Sequence, residues 1–188
     1  GGNAGIGKAT AIALAKKGAE IVITSRSEDK AKSAIAEIKS TSGNPAVNYI
    51  LVDLSSQESV RKAAKEINTI CPRIDVLINN AGCYISDLQL NTDGIEMQFG
   101  TNHIGHFLLT NLILDNIKAS GKARIINLSS IAHKSTRTLN FDDINYQKEE
   151  YGGWKSYSRS KFCNILFTKE LAQRLEKDGI TVNAVHPG

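Results

Sequence analysis

Tyr157 and Lys161 stand four positions apart in Tyr157-Ser158-Arg159-Ser160-Lys161, a spacing that places both on one face of a helix. A free tyrosine gives up its proton at about pH 10, too high to cycle it easily at neutral pH. An ammonium beside the ring stabilises the phenolate and moves that proton towards a useful range. The pair therefore reads as an acid–base group that gives a proton to, or takes one from, a substrate oxygen. The plain alternative is a solvated helical pair. Ser130 ends the apolar run Ile125-Ile126-Asn127-Leu128-Ser129-Ser130 and offers a hydroxyl to orient such an oxygen, with Ser129 as its rival. Upstream, Gly1, Gly5 and Gly7 form G-x-x-x-G-x-G and run directly into a helical stretch that opens at Ile6. Glycines let a phosphate approach the backbone, and a helix N-terminus offers it unpaired N–H groups and a partial positive charge. Asp53-Leu54 ends one strand, where a carboxylate can accept from an adenine amino group, and Asn79-Asn80-Ala81-Gly82 ends the next.

These residues need a scaffold, and the hydropathy pattern supplies one. Helices are expected over residues 6–17, stopping at Gly18, and over 29–40, ending before Ser42-Gly43-Asn44-Pro45. Ser55 with Glu58 fits a capping box opening a helix towards Ile70. Further helices are expected over 94–118 and 154–177. Strands are expected over 20–24, 47–53, 76–78, Arg124–Leu128 and Thr181–Val185, each short and rich in β-branched residues. Apolar strands separated by helices imply a parallel sheet covered on both faces. Right-handed crossovers then give an α/β, doubly wound, Rossmann-type single domain over residues 1–188, with its ligands beyond the carboxyl ends of the strands.

The composition narrows the function classes. Of 188 residues, 41% are hydrophobic and 22% charged, which excludes a disordered or collagen-like chain. The net charge of +4 is scattered, without a basic stripe or stacking aromatics, and argues against a nucleic-acid partner. Cys71, Cys83 and Cys163 include no CxxC pair, which argues for a reduced compartment and against a disulfide framework or a structural zinc site. No apolar run approaches the roughly 18 residues of a membrane-spanning helix. His103 and His106 lack the further ligands that a metal would need, so no metal is expected.

In this order the motifs resemble the short-chain dehydrogenase/reductase family, over essentially the whole chain. The resemblance implies catalytic roles for Asn102, Ser130, Tyr157 and Lys161. Asn102 would anchor a proton-relay water, and Lys161 would also hold the nicotinamide ribose. It implies cofactor contacts from Gly1, Gly5, Ile6, Gly7, Arg26, Asp53, Leu54, Asn80, Ala81, Gly82, Tyr157, Lys161, Pro187 and Gly188. A narrower resemblance is to the retinol-dehydrogenase-like branch, carried by Asn102-His103-Ile104-Gly105-His106-Phe107, Ser130-Ile131-Ala132-His133, Phe141-Asp142-Asp143-Ile144-Asn145 and Asn164-Ile165-Leu166-Phe167-Thr168. It implies a small lipophilic carbonyl or alcohol as substrate, a retinoid among the candidates. The stretch from Ser130 to Tyr157 is longer than is common in the family, and the insert around Phe141 is expected to form a flap near the substrate. Tyr151 and Trp154 either line an apolar pocket or cover the helix end.

Cofactor choice is read after the second strand, where NAD sites place a carboxylate and NADP sites a basic residue. Ser25 occupies the acidic place and Arg26 the basic one, so NADP is expected, with NAD as the alternative; Ala4, Glu28 and Asp29 weigh against NADP. A catalytically silent nucleotide-binding protein on the same fold is the competing function. The protein is expected to be intracellular, in the cytoplasm or on an organelle membrane. Any membrane attachment is assigned to a segment ahead of the glycine turn, and a homo-oligomer is left open. A glycine turn needs a strand to deliver it. The chain is therefore expected to be a fragment lacking its first strand, which belongs at the sheet centre between strands 20–24 and 76–78, and the substrate segment after Pro187-Gly188.

Overall fold

Residues 1–136 and 138–188 are described by a computed structural model, and their backbone contacts fall into two units, Gly1–Asp53 and Leu54–Gly188. In the first unit, helix α1 (Gly5–Ala15) leads to β1 (Ile21–Ser25), α2 (Glu28–Ser42) and β2 (Val47–Leu51). The strands pair in parallel from Ile21 with Val47 to Ser25 with Leu51. Ala11 and Ala15 of α1, Ile21 and Ile23 of β1, Ala34 and Ile38 of α2 and Val47 of β2 form its core. Small alanines on both helices let them lie close to the two strands. The Ser27 hydroxyl caps α2 by accepting from the Lys30 N–H, with Glu28 and Asp29 favourably placed in the positive first turn. Asn44 then ties the unit together, its amide donating to Ala15 O and Ala19 O.

The second unit holds α3 (Gln57–Ile70), β3 (Val76–Asn79), α4 (Met97–Phe99), a π turn (Gly100–Ile104), α5 (Gly105–Leu112), α6 (Leu114–Lys118), β4 (Arg124–Leu128), α7 (Gly153–Leu175) and β5 (Thr181–Val185). β4 is the middle strand of a parallel sheet ordered β3-β4-β5. Helix α7 packs on β4 and β5, and α3 on α5. A buried polar ladder links the layers: Asn79 donates to Thr110 Oγ1 and Asn127 Oδ1, and Asn127 donates to Thr168 Oγ1. Such a ladder is favourable only when each member is paired, which fixes the strands against α5 and α7. Gly105 opens α5 because a Cβ there would overlap Leu54 O and stand 2.9 Å from Leu54 Cβ.

The α/β class with parallel strands and covering helices is as expected. The strands form two sheets, β1-β2 and β3-β4-β5, and among the described residues β1 and β3 do not pair. Strand β2 ends at Leu51, short of the expected Asp53. Ser56, not Ser55, caps α3, accepting from Ser59 N–H at 3.2 Å. The single helix expected over 94–118 is broken. Gly94 belongs to a turn closed by Asn91, the π turn widens the helix at Asn102, and Ile113 leaves helical geometry with φ −110° and ψ 12°.

Candidate active site

Helix α7 brings Lys161 Nζ to 5.5 Å from the centre of the Tyr157 ring, as the four-residue spacing requires. Lys161 is only 4% exposed, and its ammonium donates to Leu128 O at the end of β4. Burial brings its pKa down to about 8, so the group is still charged at neutral pH. Asn102 projects from the π turn into the same region. Its amide donates to Cys83 O and Ser160 Oγ, while its Oδ1 accepts from Cys83 N–H at 2.8 Å. Gly82 lies against both groups: a Cβ there would stand 3.3 Å from Asn102 Oδ1 and 3.4 Å from Lys161 Nζ. The glycine thus leaves a cradle beside the amide and the ammonium that most side chains would fill.

The two serines after β4 have different positions. Ser129 is buried, and its hydroxyl donates to Lys161 O at 2.8 Å, fastening α7 to the sheet. Ser130 is half-buried and caps a 3₁₀ turn (Ile131–Ser135) that packs on α7; its Oγ accepts from Ala132 N–H. An oxygen that accepts in this way keeps its own proton to donate. Around Tyr157, the exposed rings of Tyr84 and Trp154 each lie 5.9 Å away, centre to centre. Tyr84 was not singled out from the sequence, although its place two residues after Gly82 was the available signal.

The flap expectation is corrected, and of the two roles left open for Tyr151 the structure shows cover of the helix end. Its hydroxyl accepts from Gln98 Nε2 and faces Ile85 O and Glu96 Oε1, covering the start of α7, and burial pushes its pKa up to about 12. The insert is not a flap over the catalytic pair. Leu139, Phe141, Ile144 and Tyr146 enclose a small pocket with Ser156 and Arg159, a side of α7 about 140° around the helix from Tyr157 and Lys161 at 100° per residue. Three backbone N–H groups, of Gln147, Lys148 and Glu149, converge on the Asp143 carboxylate, and Glu149 pairs with Arg159 at 2.9 Å. Those anchors hold the insert in place.

The residues expected at the cofactor are shared between the units. In the first, Ala4 precedes α1 without a side-chain cap, Gly5 opens the helix at φ 52°, Ile6 is exposed, and no acidic residue stands in the first turn. Gly1 donates to Thr24 O at the end of β1. Arg26 follows β1, exposed and with no carboxylate within 4.0 Å among the described residues, while Glu28 is taken by Lys32 and Tyr49. Asp53 lies half-buried just beyond β2. In the second unit, Leu54 is buried against Gly105, Asn80 and Ala81 follow β3 half-buried, and Pro187 and Gly188 lie exposed after β5. In the first unit, the uncapped start of α1 with no carboxylate in its first turn suits a phosphate group.

The family model described as short chain dehydrogenase matches residues 1–141 and 145–188. The chain belongs to the short-chain dehydrogenase family. It is 48% identical over 188 residues to retinol dehydrogenase 13 of Homo sapiens, covering all of this chain and 56% of that protein. Retinol dehydrogenase 12 of Mus musculus is 45% identical, with 100% and 59% covered. The chain thus spans a little over half the length of these relatives, in the retinol-dehydrogenase-like branch. Among solved structures, an uncharacterized protein from Mycobacterium Paratuberculosis superposes with a TM-score of 0.87 at 38% identity, covering all of this chain and 66% of that one. The Pseudomonas aeruginosa RhlG/NADP active-site complex gives 0.79 at 25% identity, covering 100% and 69%. No helix among the described residues is long and apolar enough to cross a membrane.

Proposed function

We propose that the protein carrying this chain interconverts a small lipophilic alcohol and its carbonyl compound with NADP(H), retinoids being candidate substrates. The observation that carries the reading is the convergence of Tyr157, Lys161, Asn102 and Gly82 described above. The cofactor supplies or accepts the hydride when bound. In the reductive direction Tyr157 donates its proton to the substrate oxygen as that oxygen gains negative charge, and Ser130 donates a hydrogen bond that orients it. The Lys161 ammonium favours negative charge on the Tyr157 oxygen through the transfer. Asn102 holds the loop that carries Gly82 and serves the proton relay. Tyr84 and Trp154 present apolar rings at the mouth of this site, in keeping with a lipophilic substrate and with the names of the retinol dehydrogenase relatives. Gly1, Gly5, Ile6 and Gly7 hold the phosphates, Arg26 a 2′-phosphate and Asp53 the adenine, with Leu54, Asn80, Ala81, Gly82, Pro187 and Gly188 completing the contacts.

The deciding experiment assays retinal, steroid and small-aldehyde reduction with NADPH and NADH. Tyr157→Phe should lower kcat about 10²–10⁴-fold while leaving cofactor binding near normal, because only the proton donor is lost. Tight NADPH binding without turnover on any carbonyl would favour the silent nucleotide-binding reading. A Tyr157→Phe variant that keeps most of its turnover would remove Tyr157 from the mechanism.

A further inference from the structure

The His103, His106 and Asn164 side chains belong to the branch motifs, yet none is used by the chemistry above. The structure joins them. The carbonyl of Asn102, within the π turn, meets two side-chain nitrogens: His106 Nδ1 and Asn164 Nδ2, each at 3.1 Å. The same Asn164 nitrogen donates to Leu128 O, also at 3.1 Å, and Asn164 Oδ1 meets His103 Nδ1 at 3.0 Å. A backbone carbonyl can only accept, so two carbonyls fix which end of the Asn164 amide is nitrogen. The amide oxygen is left for His103, which must carry its proton on Nδ1. His106 must do the same to donate to Asn102 O. Both tautomers are therefore set by the backbone.

Leu128 O is also the acceptor of the Lys161 ammonium. Its two lone pairs are thus shared between Lys161 and Asn164, one turn apart on α7. Asn164 is 4% exposed and Asn102 fully buried, so no water competes easily for these bonds. We propose that Asn164, oriented by His103, is a positioning residue that holds the π turn against β4 and so sets Asn102 and Lys161 relative to each other. This rests on the catalytic reading of Asn102 and Lys161 given above. Asn164 touches no reacting atom; it acts through the Asn102 carbonyl and the carbonyl that orients the ammonium. His103 is suited to a lever role. Its ring sits among Phe99, Phe107 and Phe167, with centres 5.3, 6.1 and 6.2 Å away, so a phenylalanine could replace its shape while removing its proton.

The test uses the protein that carries this chain, with Asn164→Ala, His103→Phe, the double variant and Tyr157→Phe. Asn164→Ala should melt cooperatively and bind NADPH as wild type, with kcat lowered about 10- to 100-fold and KM little changed, as for a small misplacement of reacting groups. His103→Phe should lower kcat by less, and should add no further loss in the Asn164→Ala background, because it acts only through that amide. Nitrogen NMR of the wild type should show His103 protonated at Nδ1. A folded Asn164→Ala with wild-type kcat overturns the proposal, as do losses that multiply in the double variant. If Asn164→Ala does not fold, His103→Phe decides: a reduced kcat at constant KM supports the role, and a wild-type kcat ends it. Tyr157→Phe separates the two readings. Retained turnover there sinks the acid–base assignment, whereas an inactive Tyr157→Phe beside a fully active Asn164→Ala sinks this inference alone.

Discussion

At the scale of single residues, the proposed preference for NADP rests on Arg26. β1 ends at Ser25, whose hydroxyl is buried and engaged with both backbone groups of Ser27, so this position offers no charge to a ribose. Arg26 comes next, exposed, while the neighbouring Glu28 carboxylate is drawn to Lys32 at 2.9 Å and to the Tyr49 hydroxyl. The acidic residues that weighed against NADP in the sequence are thus partly occupied elsewhere. An exposed guanidinium with no carboxylate partner is suited to a phosphate, which it can bind through two parallel hydrogen bonds. The protein should bind NADPH more tightly than NADH, and Arg26→Ala should weaken NADPH roughly tenfold or more while leaving NADH nearly unchanged. Dissociation constants for both cofactors in both proteins check this. Equal wild-type affinities would show that the charge after β1 does not select the cofactor.

At the scale of elements, the helix that follows the π turn should make the second unit sensitive to acid. His106 is buried in α5, with its Nδ1 on Asn102 O, and burial lowers its pKa from 6.5 to about 4, assisted by the nearby positive charge of Lys161. In the unfolded chain His106 takes up a proton as pH falls through about 6.5, but in the folded chain it stays neutral until about pH 4. The unfolded state then binds more protons, so stability should fall between those values, by roughly 3 kcal/mol in total from this residue. Denaturant unfolding from pH 7 to pH 4 should show the loss, and His106→Gln should flatten that part of the profile. A wild-type profile flat across this interval would mean that the ring is hydrated. The sequence made the strands legible because β-branched runs such as Ile21-Val22-Ile23 admit little else, and it made Tyr157 and Lys161 legible because four residues define one helical face. The π turn left no such signal, since the residue types Gly-Thr-Asn-His-Ile at 100–104 suit closure at i+4 as well as at i+5. The seat of the insert was equally hidden: it depends on Glu149 reaching Arg159 and on Asp143 gathering three N–H groups, contacts that only the folded chain creates.

At the scale of the whole chain, what matters is how its sheets end. Among the described residues β3 pairs with β4 alone, through Val76–Asn79 and Arg124–Asn127, so its other backbone edge faces no strand of this chain. That edge carries apolar side chains: Val76 is 43% exposed, and Leu77 and Ile78 are half-buried. A parallel strand built from such residues suits a sheet interior, and at an edge it is a template for pairing with another chain. Edges are usually blunted by lysine, proline or a bulge, and Val76-Leu77-Ile78 has none of these. The 188-residue chain expressed alone should therefore self-associate as its concentration rises. Val76→Lys should raise the monomer fraction, because a lysine on an exposed edge opposes a second like-charged edge while leaving the register with β4 intact. Sedimentation velocity across a concentration series measures both species. The same distribution in Val76→Lys as in wild type would place the association elsewhere, and the exposed Phe107 and Leu166 of α5 and α7 would be the next surfaces to test.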